Sequence, residues 1–157
     1  MATVLLALAV VSTGLYAGIM LIFLTGIMPA MARLTDSQFV TAMRRVNEEV
    51  PRGLFLAVFL AVVAFPAAAL AVPVDGRSDT DRWLLLGGLV CVVLNHLVTV
   101  AGNIPLNNAL AASETSPEIH PDSVVRAAFE RRWNRLHAVR TVLAVGGFAL
   151  IVSASLS

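Results

Sequence analysis

The sequence contains no lysine, a single cysteine and few charged residues of either sign. Charged residues make up 13% of its 157 residues, whereas a soluble domain has about 25%. The arginines alternate with acids near the ends of apolar runs, and this pattern does not indicate nucleic-acid binding. Cys91 alone cannot form an intrachain disulfide. This excludes the thiol–quinone oxidoreductases among small membrane enzymes, because their chemistry requires pairs of cysteines.

Long apolar runs make up most of the remaining chain. Hydrophobic residues amount to 58% and the mean hydropathy is +0.84, which predicts an integral membrane protein. A membrane-spanning helix needs about 20 apolar residues, and four segments meet this requirement. They are predicted at about residues 4–28, 53–74, 83–104 and 136–156. We therefore expect one all-α domain, an antiparallel bundle of four transmembrane helices.

Residues 36–47, in the first loop, have the pattern of an amphipathic helix. Thr35 or Asp36 is the expected N-cap of this helix. We expect Arg44 and Arg45 to face lipid headgroups or water, and the helix to lie in the membrane interface. Its apolar stripe consists of Phe39, Met43 and Val46.

The arginines are distributed unevenly between the loops, which predicts the orientation of the chain. The first loop and the third, which covers about residues 109–135, carry eight arginines, whereas the second loop carries two. Cytoplasmic loops are the ones enriched in arginine and lysine. We expect loops one and three in the cytoplasm, both termini outside, and the plasma membrane as the location. The eight arginines are Arg33, Arg44, Arg45, Arg52, Arg126, Arg131, Arg132 and Arg135.

Polar side chains interrupt the third apolar run at residues 95–108, NHLVTVAGNIPLNN. A buried polar group in lipid is costly without a partner, so such a set indicates a functional site. At the spacing of an α-helix, His96, Thr99 and Asn103 share one face. Pro105 is expected to kink or end the helix there. We interpret this stretch as one wall of a buried polar site.

Arg140 is the strongest functional signal of the fourth run. An arginine inside a membrane normally lines an internal cavity or pairs with another group. The alternative is that it snorkels to the nearby interface. Trp133, His137 and Thr141 fall on the same helix face as Arg140. We expect His137 and His96 to line one polar funnel that opens to the cytoplasm, with His96 at its deepest point.

Several short motifs of the chain are similar to those of a known family. They lie near the ends of the third and fourth spans, in the first span and in the first loop. They are Asn103-Ile-Pro-Leu-Asn107, the set Trp133, His137, Arg140 and Thr141, Tyr16-Ala-Gly18, Met28-Pro29-Ala30, and Val46-Asn47. With these motifs the chain resembles the anthrone oxygenase-like family of small four-helix membrane proteins. The resemblance implies a membrane oxygenase that converts an anthrone to an anthraquinone. It also implies a setting in polyketide or other secondary-metabolite biosynthesis.

The reaction implied by the resemblance matches the chemistry of these residues. A base removes an acidic C–H proton, and His137 or His96 is the expected base. Arg140, Asn103 and Asn107 are expected to hold the developing oxyanion. The expected contacts to a small hydrophobic aromatic substrate are Trp133, Tyr16, Thr99 and Asn47. The scheme uses O2 as co-substrate and strictly requires no metal.

Two alternatives remain open. His96 and His137 could instead be ligands of copper or iron. The chain could also be a non-enzymatic membrane carrier or accessory protein for a lipophilic compound, which would bind its ligand without O2 uptake. Either kind of protein could form a homo-oligomer. The glycines that would pack such protomers together are Gly14, Gly18, Gly87 and Gly88.

Overall fold

The computed structural model describes residues 2–74, 76–116 and 120–156, which form helices joined by short connections. No strand occurs within these ranges, and residues 117–119 of the predicted third loop lie outside them. Four of the helices are long and apolar enough to cross a membrane, so the predicted all-α membrane fold is confirmed. The helices are α1 Ala2–Met31, α2 Asp36–Glu49, α3 Gly53–Ala71, α4 Asp79–Ala112 and α5 Asp122–Leu156.

In the bundle, α1 contacts α3 and α5, and α4 contacts the same two helices. The most extensive contact joins α4 to α5. A Cβ added to Gly88 would lie 2.5 Å from Cγ1 of Ile151 and 3.1 Å from the carbonyl oxygen of Gly147. Gly14 lies against the ring of Phe148. Gly88 and Gly14 therefore allow close packing within one chain rather than between protomers. The antiparallel order of the helices stays a prediction.

The amphipathic helix α2 covers the bundle with its apolar face. Thr35 is its N-cap and forms a capping box with Gln38. Arg44 donates to the carbonyl oxygen of Leu110 and to Oγ of Ser113, so the expectation that it faces headgroups or water is wrong. The last turn of α4 continues far enough to offer these acceptors. The buried residues packed together here are Met28, Phe39, Val40, Met43, Leu110, Phe129 and Trp133.

Helices α1 and α4 each contain one π turn, in which the backbone hydrogen bonds span one residue more than in an α-helix. The turns are Phe23–Ile27 and Thr99–Asn103. Each is followed closely by a proline, Pro29 in α1 and Pro105 in α4. Proline has no N–H and crowds the carbonyl oxygen one turn earlier. Because the wider turn absorbs this crowding, Pro105 does not end the helix.

Candidate functional site

Buried polar residues of α4 and α5 lie together inside the bundle, with Arg140 at their centre. Nη1 of Arg140 donates to Oγ1 of Thr99 at 3.1 Å, and Nη2 donates to Nδ1 of His137 at 3.0 Å. The guanidinium carbon lies 5.6 Å from the ring centre of Trp133. Arg140 is only 7% exposed. Its side chain therefore points into the bundle instead of snorkelling to the interface.

The hydrogen-bond partners of His137 define its tautomer. A guanidinium can only donate, so Nδ1 of His137 must accept the hydrogen bond from Arg140. The ring N–H is then at Nε2, which donates to the carbonyl oxygen of Met20 at 3.1 Å. The imidazole also stacks on Trp133, with the ring centres 4.8 Å apart. Both nitrogens of His137 are thus engaged with other protein groups.

Asn95 connects three helices through one side-chain amide. Its Oδ1 accepts from the hydroxyl of Tyr16 on α1 at 2.8 Å, and its Nδ2 donates to the carbonyl oxygen of Arg140 on α5 at 2.6 Å. The residue is fully buried. Sequence reasoning did not single out Asn95, and it interpreted Tyr16 as a substrate contact. In the structure the Tyr16 hydroxyl serves this interhelical network, and Tyr16 is not part of the adjoining cavity wall.

A cavity of about 210 Å³ adjoins the polar cluster, and all five helices contribute to its wall. Drug-sized ligands occupy pockets of about 300–1,000 Å³, so this cavity suits a compact ligand. The wall is mainly apolar, with a minority of polar groups. Its aromatic and polar members are Phe23, Phe55, Phe59, Trp133, Asn47, Thr99, Asn103, Asn107, His137 and Arg140.

Three buried polar atoms on residues of the cavity wall have no hydrogen-bond partner among the described residues. They are Nδ2 of Asn47, Oδ1 of Asn103 and Nε of Arg140, which makes two donors and one acceptor. Buried polar atoms are nearly always hydrogen-bonded. Oδ1 of Asn134 is also unpaired, but its residue does not line this cavity. All three atoms belong to side chains of the cavity wall, although the atoms themselves have almost no accessible surface.

Trp133 is oriented by the two asparagines of the Asn103-Ile-Pro-Leu-Asn107 motif. Its Nε1 donates to Oδ1 of Asn107 at 3.0 Å, and its backbone carbonyl accepts from Nδ2 of Asn103 at 3.4 Å. These contacts hold the indole flat against His137. The structure therefore brings together Asn103, Asn107, Trp133 and His137 as the motif spacing suggested, and it uses part of each asparagine to fix the tryptophan.

His96 lies outside the residues that form the cavity wall. Its Nε2 is 2.7 Å from the carbonyl oxygen of Phe59, and its Nδ1 is 2.8 Å from that of Val92. A neutral imidazole has one N–H, so it can donate to only one of these oxygens at a time. The ring stacks on Phe59, with the ring centres 3.8 Å apart. His96 and His137 thus do not share one cavity wall.

The side chains expected as alternative metal ligands do not form a donor set in this arrangement. Within the described ranges there is no group of three or more His, Cys, Asp and Glu side chains that could hold a metal ion. The ring nitrogens of His96 and His137 all contact protein groups. The residues present do not fit copper or iron between these two histidines.

Comparison with known proteins gives one match. A model of the anthrone oxygenase family matches residues 39–150, which run from α2 to near the end of α5 and include every polar residue of the cavity wall. No curated protein and no solved structure matches the chain.

Proposed function

Since the chain belongs to the anthrone oxygenase family, we propose that it is a membrane oxygenase that oxidises a hydroxylated polycyclic aromatic compound of the anthrone type. In this reaction the ring CH2 group opposite the carbonyl becomes a second carbonyl. Both C–H bonds of the CH2 group break. One oxygen atom of O2 becomes the oxygen of the new carbonyl, and the other leaves as water with the two hydrogens. The balance needs no further reductant.

The observation that carries this proposal is the buried charge of Arg140. No carboxylate pairs with it in the part of the chain that the structure describes. A buried cation without a counter-ion is costly, and an anionic ligand would offset that cost. The enolate formed when an anthrone loses its C–H proton is such an anion. Arg140 would stabilise the developing oxyanion through a donor that is already in place.

The remaining unpaired atoms support a ligand that carries oxygen on an aromatic frame. Nδ2 of Asn47 can donate to a carbonyl or phenolate oxygen, and Oδ1 of Asn103 can accept from a phenolic hydroxyl. The phenylalanines and Trp133 offer flat apolar surface for fused rings. Small rotations of these side chains would bring such donors and acceptors to a ligand with several ring oxygens.

Access from the bilayer also favours a lipophilic substrate. Leu56 of α3 and Ile104 of α4 belong to the cavity wall, yet they are 46% and 41% exposed. Their exposed surfaces are apolar, so they suit acyl chains rather than water. A polycyclic compound dissolved in the membrane could reach the cavity between these helices, and O2 is itself more soluble in such surroundings.

The proposal is tested with the purified protein in lipid nanodiscs and 1,8-dihydroxy-9-anthrone as the probe. We expect O2 uptake above the spontaneous rate, one O2 per anthrone, and the absorbance of the anthraquinone. Arg140→Gln should lower kcat/KM by about 100-fold or more, because it removes the donor to the oxyanion. Arg131→Gln is the matched control, since Arg131 is exposed on the same helix.

Two results would contradict the proposal. In the first, the wild-type protein consumes no O2 above the background. In the second, Arg140→Gln is as active as Arg131→Gln. Tight binding of 1,8-dihydroxyanthraquinone without any O2 uptake would instead support the carrier alternative.

A further inference from the structure

The side chain of Arg140 is held by hydrogen bonds to two of its three guanidinium nitrogens. Nη1 is bonded to Thr99 and Nη2 to His137, whereas Nε is the guanidinium nitrogen without a partner. An arginine side chain has many rotamers, and holding it in one of them requires contacts on the protein side. The contact to His137 is one of these.

His137 has few ways to take part in proton transfer as it is placed. A general base must offer a lone pair within hydrogen-bond reach of the proton that it removes. The only lone pair of the His137 ring is at Nδ1, and Arg140 already donates to it. The other nitrogen carries the ring N–H and donates to Met20. The ring cannot rotate freely, because Trp133 stacks on one face and Phe23 contacts it at 6.1 Å between ring centres.

A second contact holds Arg140 from its backbone. Nδ2 of Asn95 donates to the carbonyl oxygen of Arg140 at 2.6 Å, and Tyr16 fixes the opposite end of the same amide. His137 is held in turn by Met20 of α1. Through these two contacts, the position of Arg140 is fixed relative to α1. The guanidinium is fixed relative to three helices and not only to its own.

We propose that His137 and Asn95 are positioning residues, which act on the reaction only by holding the Arg140 guanidinium at the cavity wall. This inference rests on the proposed function for the identity of the ligand. It assigns to His137 the role of a hydrogen-bond acceptor in place of the general base expected from the sequence. It assigns a role to Asn95, which lies in the polar stretch predicted to form a wall of the site but had no predicted role of its own.

The decisive variant is His137→Asn, compared with His137→Ala. The Oδ1 of an asparagine takes the place of Nδ1 and can accept from Arg140, but the amide takes up no proton. If His137 is a positioning residue, His137→Asn keeps kcat/KM within about threefold of wild type, whereas His137→Ala loses about tenfold or more, as expected for a lost bond to a charged group. His120→Ala serves as a control, because His120 lines a different cavity.

A double-mutant cycle tests whether both residues act through Arg140. In an Arg140→Gln background, His137→Ala and Asn95→Ala should cause no further loss of kcat, since the group that they position is absent. Additive losses would show an independent role and overturn the proposal. Equal loss of kcat in His137→Asn and His137→Ala, in variants that unfold at the wild-type temperature, would restore the general-base role.

Measurements of ligand affinity test the positioning role independently of the proposed function. Affinity for 1,8-dihydroxyanthraquinone is measured by quenching of Trp133 fluorescence in a Trp83→Phe background, so it requires no turnover. His137→Asn should bind like wild type, and His137→Ala should bind more weakly than wild type, in the direction of Arg140→Gln. If wild type binds the quinone but consumes no O2 with the anthrone, the proposed function fails while the positioning role stands on these affinities. Equal weakening in His137→Asn and His137→Ala overturns the positioning role.

Discussion

At the residue scale, the buried polar groups of the site differ in whether their atoms have hydrogen-bond partners. Asn95 is fully buried and both ends of its amide are hydrogen-bonded, whereas Asn103 is equally buried and its Oδ1 is unpaired. A buried polar atom without a partner lowers stability by about 1–3 kcal/mol. Asn103 therefore destabilises the free protein in a way that a bound ligand can relieve, and Asn95 does not.

This difference predicts opposite effects of the same substitution. Asn95→Leu should destabilise the protein by about 2 kcal/mol or more, because it leaves the carbonyl of Arg140 and the hydroxyl of Tyr16 without their partner. Asn103→Leu should leave stability unchanged or raise it slightly, while weakening binding of 1,8-dihydroxyanthraquinone by about tenfold. SDS-induced unfolding and fluorescence quenching measure the two properties. A large loss of stability in Asn103→Leu would contradict this account.

The site residues that could be predicted from the sequence are those of types that are rare inside membranes. Arg140 and His137 stand out because ionisable side chains inside a span are costly and need a reason. Asn95 was missed, and His96 was placed on the site face, because the third span was treated as a regular α-helix. On such a helix His96, Thr99 and Asn103 share a face. The spacing of four between Asn95, Thr99 and Asn103 is the signal that could have indicated the true face.

At the scale of the element, the π turn in α4 explains this difference. The Thr99–Asn103 turn takes up one residue more than an α-helical turn, so it shifts the register of the residues on either side. Asn95 thereby faces Tyr16 and Arg140, and His96 faces Phe59. The four long apolar helices could be predicted from composition alone. The register depends on the π turn, and the spacing of four between Asn95, Thr99 and Asn103 is a weak sign of it beside the usual period of 3.6 residues.

The contact between α4 and α5 holds the two helices that carry most of the site. Gly88→Ala should destabilise the bundle by about 1–3 kcal/mol, because the new Cβ would meet a β-branched side chain and a backbone carbonyl. Gly87→Ala is the matched control, since a Cβ there would make an ordinary contact with Leu150 at 3.4 Å. SDS-induced unfolding measures both variants. Equal stability of the two would contradict the packing role of Gly88.

At the scale of the whole molecule, the protein is a small bundle whose four long helices expose apolar side chains. Large apolar residues remain exposed on every long helix, among them Trp83, which is 71% exposed near the start of α4. Such surfaces are stable in a bilayer and unstable in water. The structure thus supports an integral membrane protein. Its orientation remains a prediction from the arginines of the loops.

Labelling with a membrane-impermeant thiol reagent tests that orientation. In a Cys91→Ser background, Thr80→Cys places a thiol at the start of α4 beside the second loop, and Ser123→Cys places one at the start of α5 beside the third. We expect Thr80→Cys to react in intact cells and Ser123→Cys to react only after permeabilisation, since the arginine-rich loops are predicted to lie in the cytoplasm. The reverse labelling would invert the predicted topology.

The position of a one-residue deletion in α4 decides whether the site survives it. The π turn at Thr99–Asn103 holds one residue more than an α-helical turn, so loss of Gly102 would let it close into ordinary α-helix with its two flanks in nearly the same relative orientation. The regular helix before the turn has no such extra residue. Loss of Leu97 would turn everything before it by about 100° relative to everything after it. Asn95 would then leave Arg140, although no side chain of the site had been replaced.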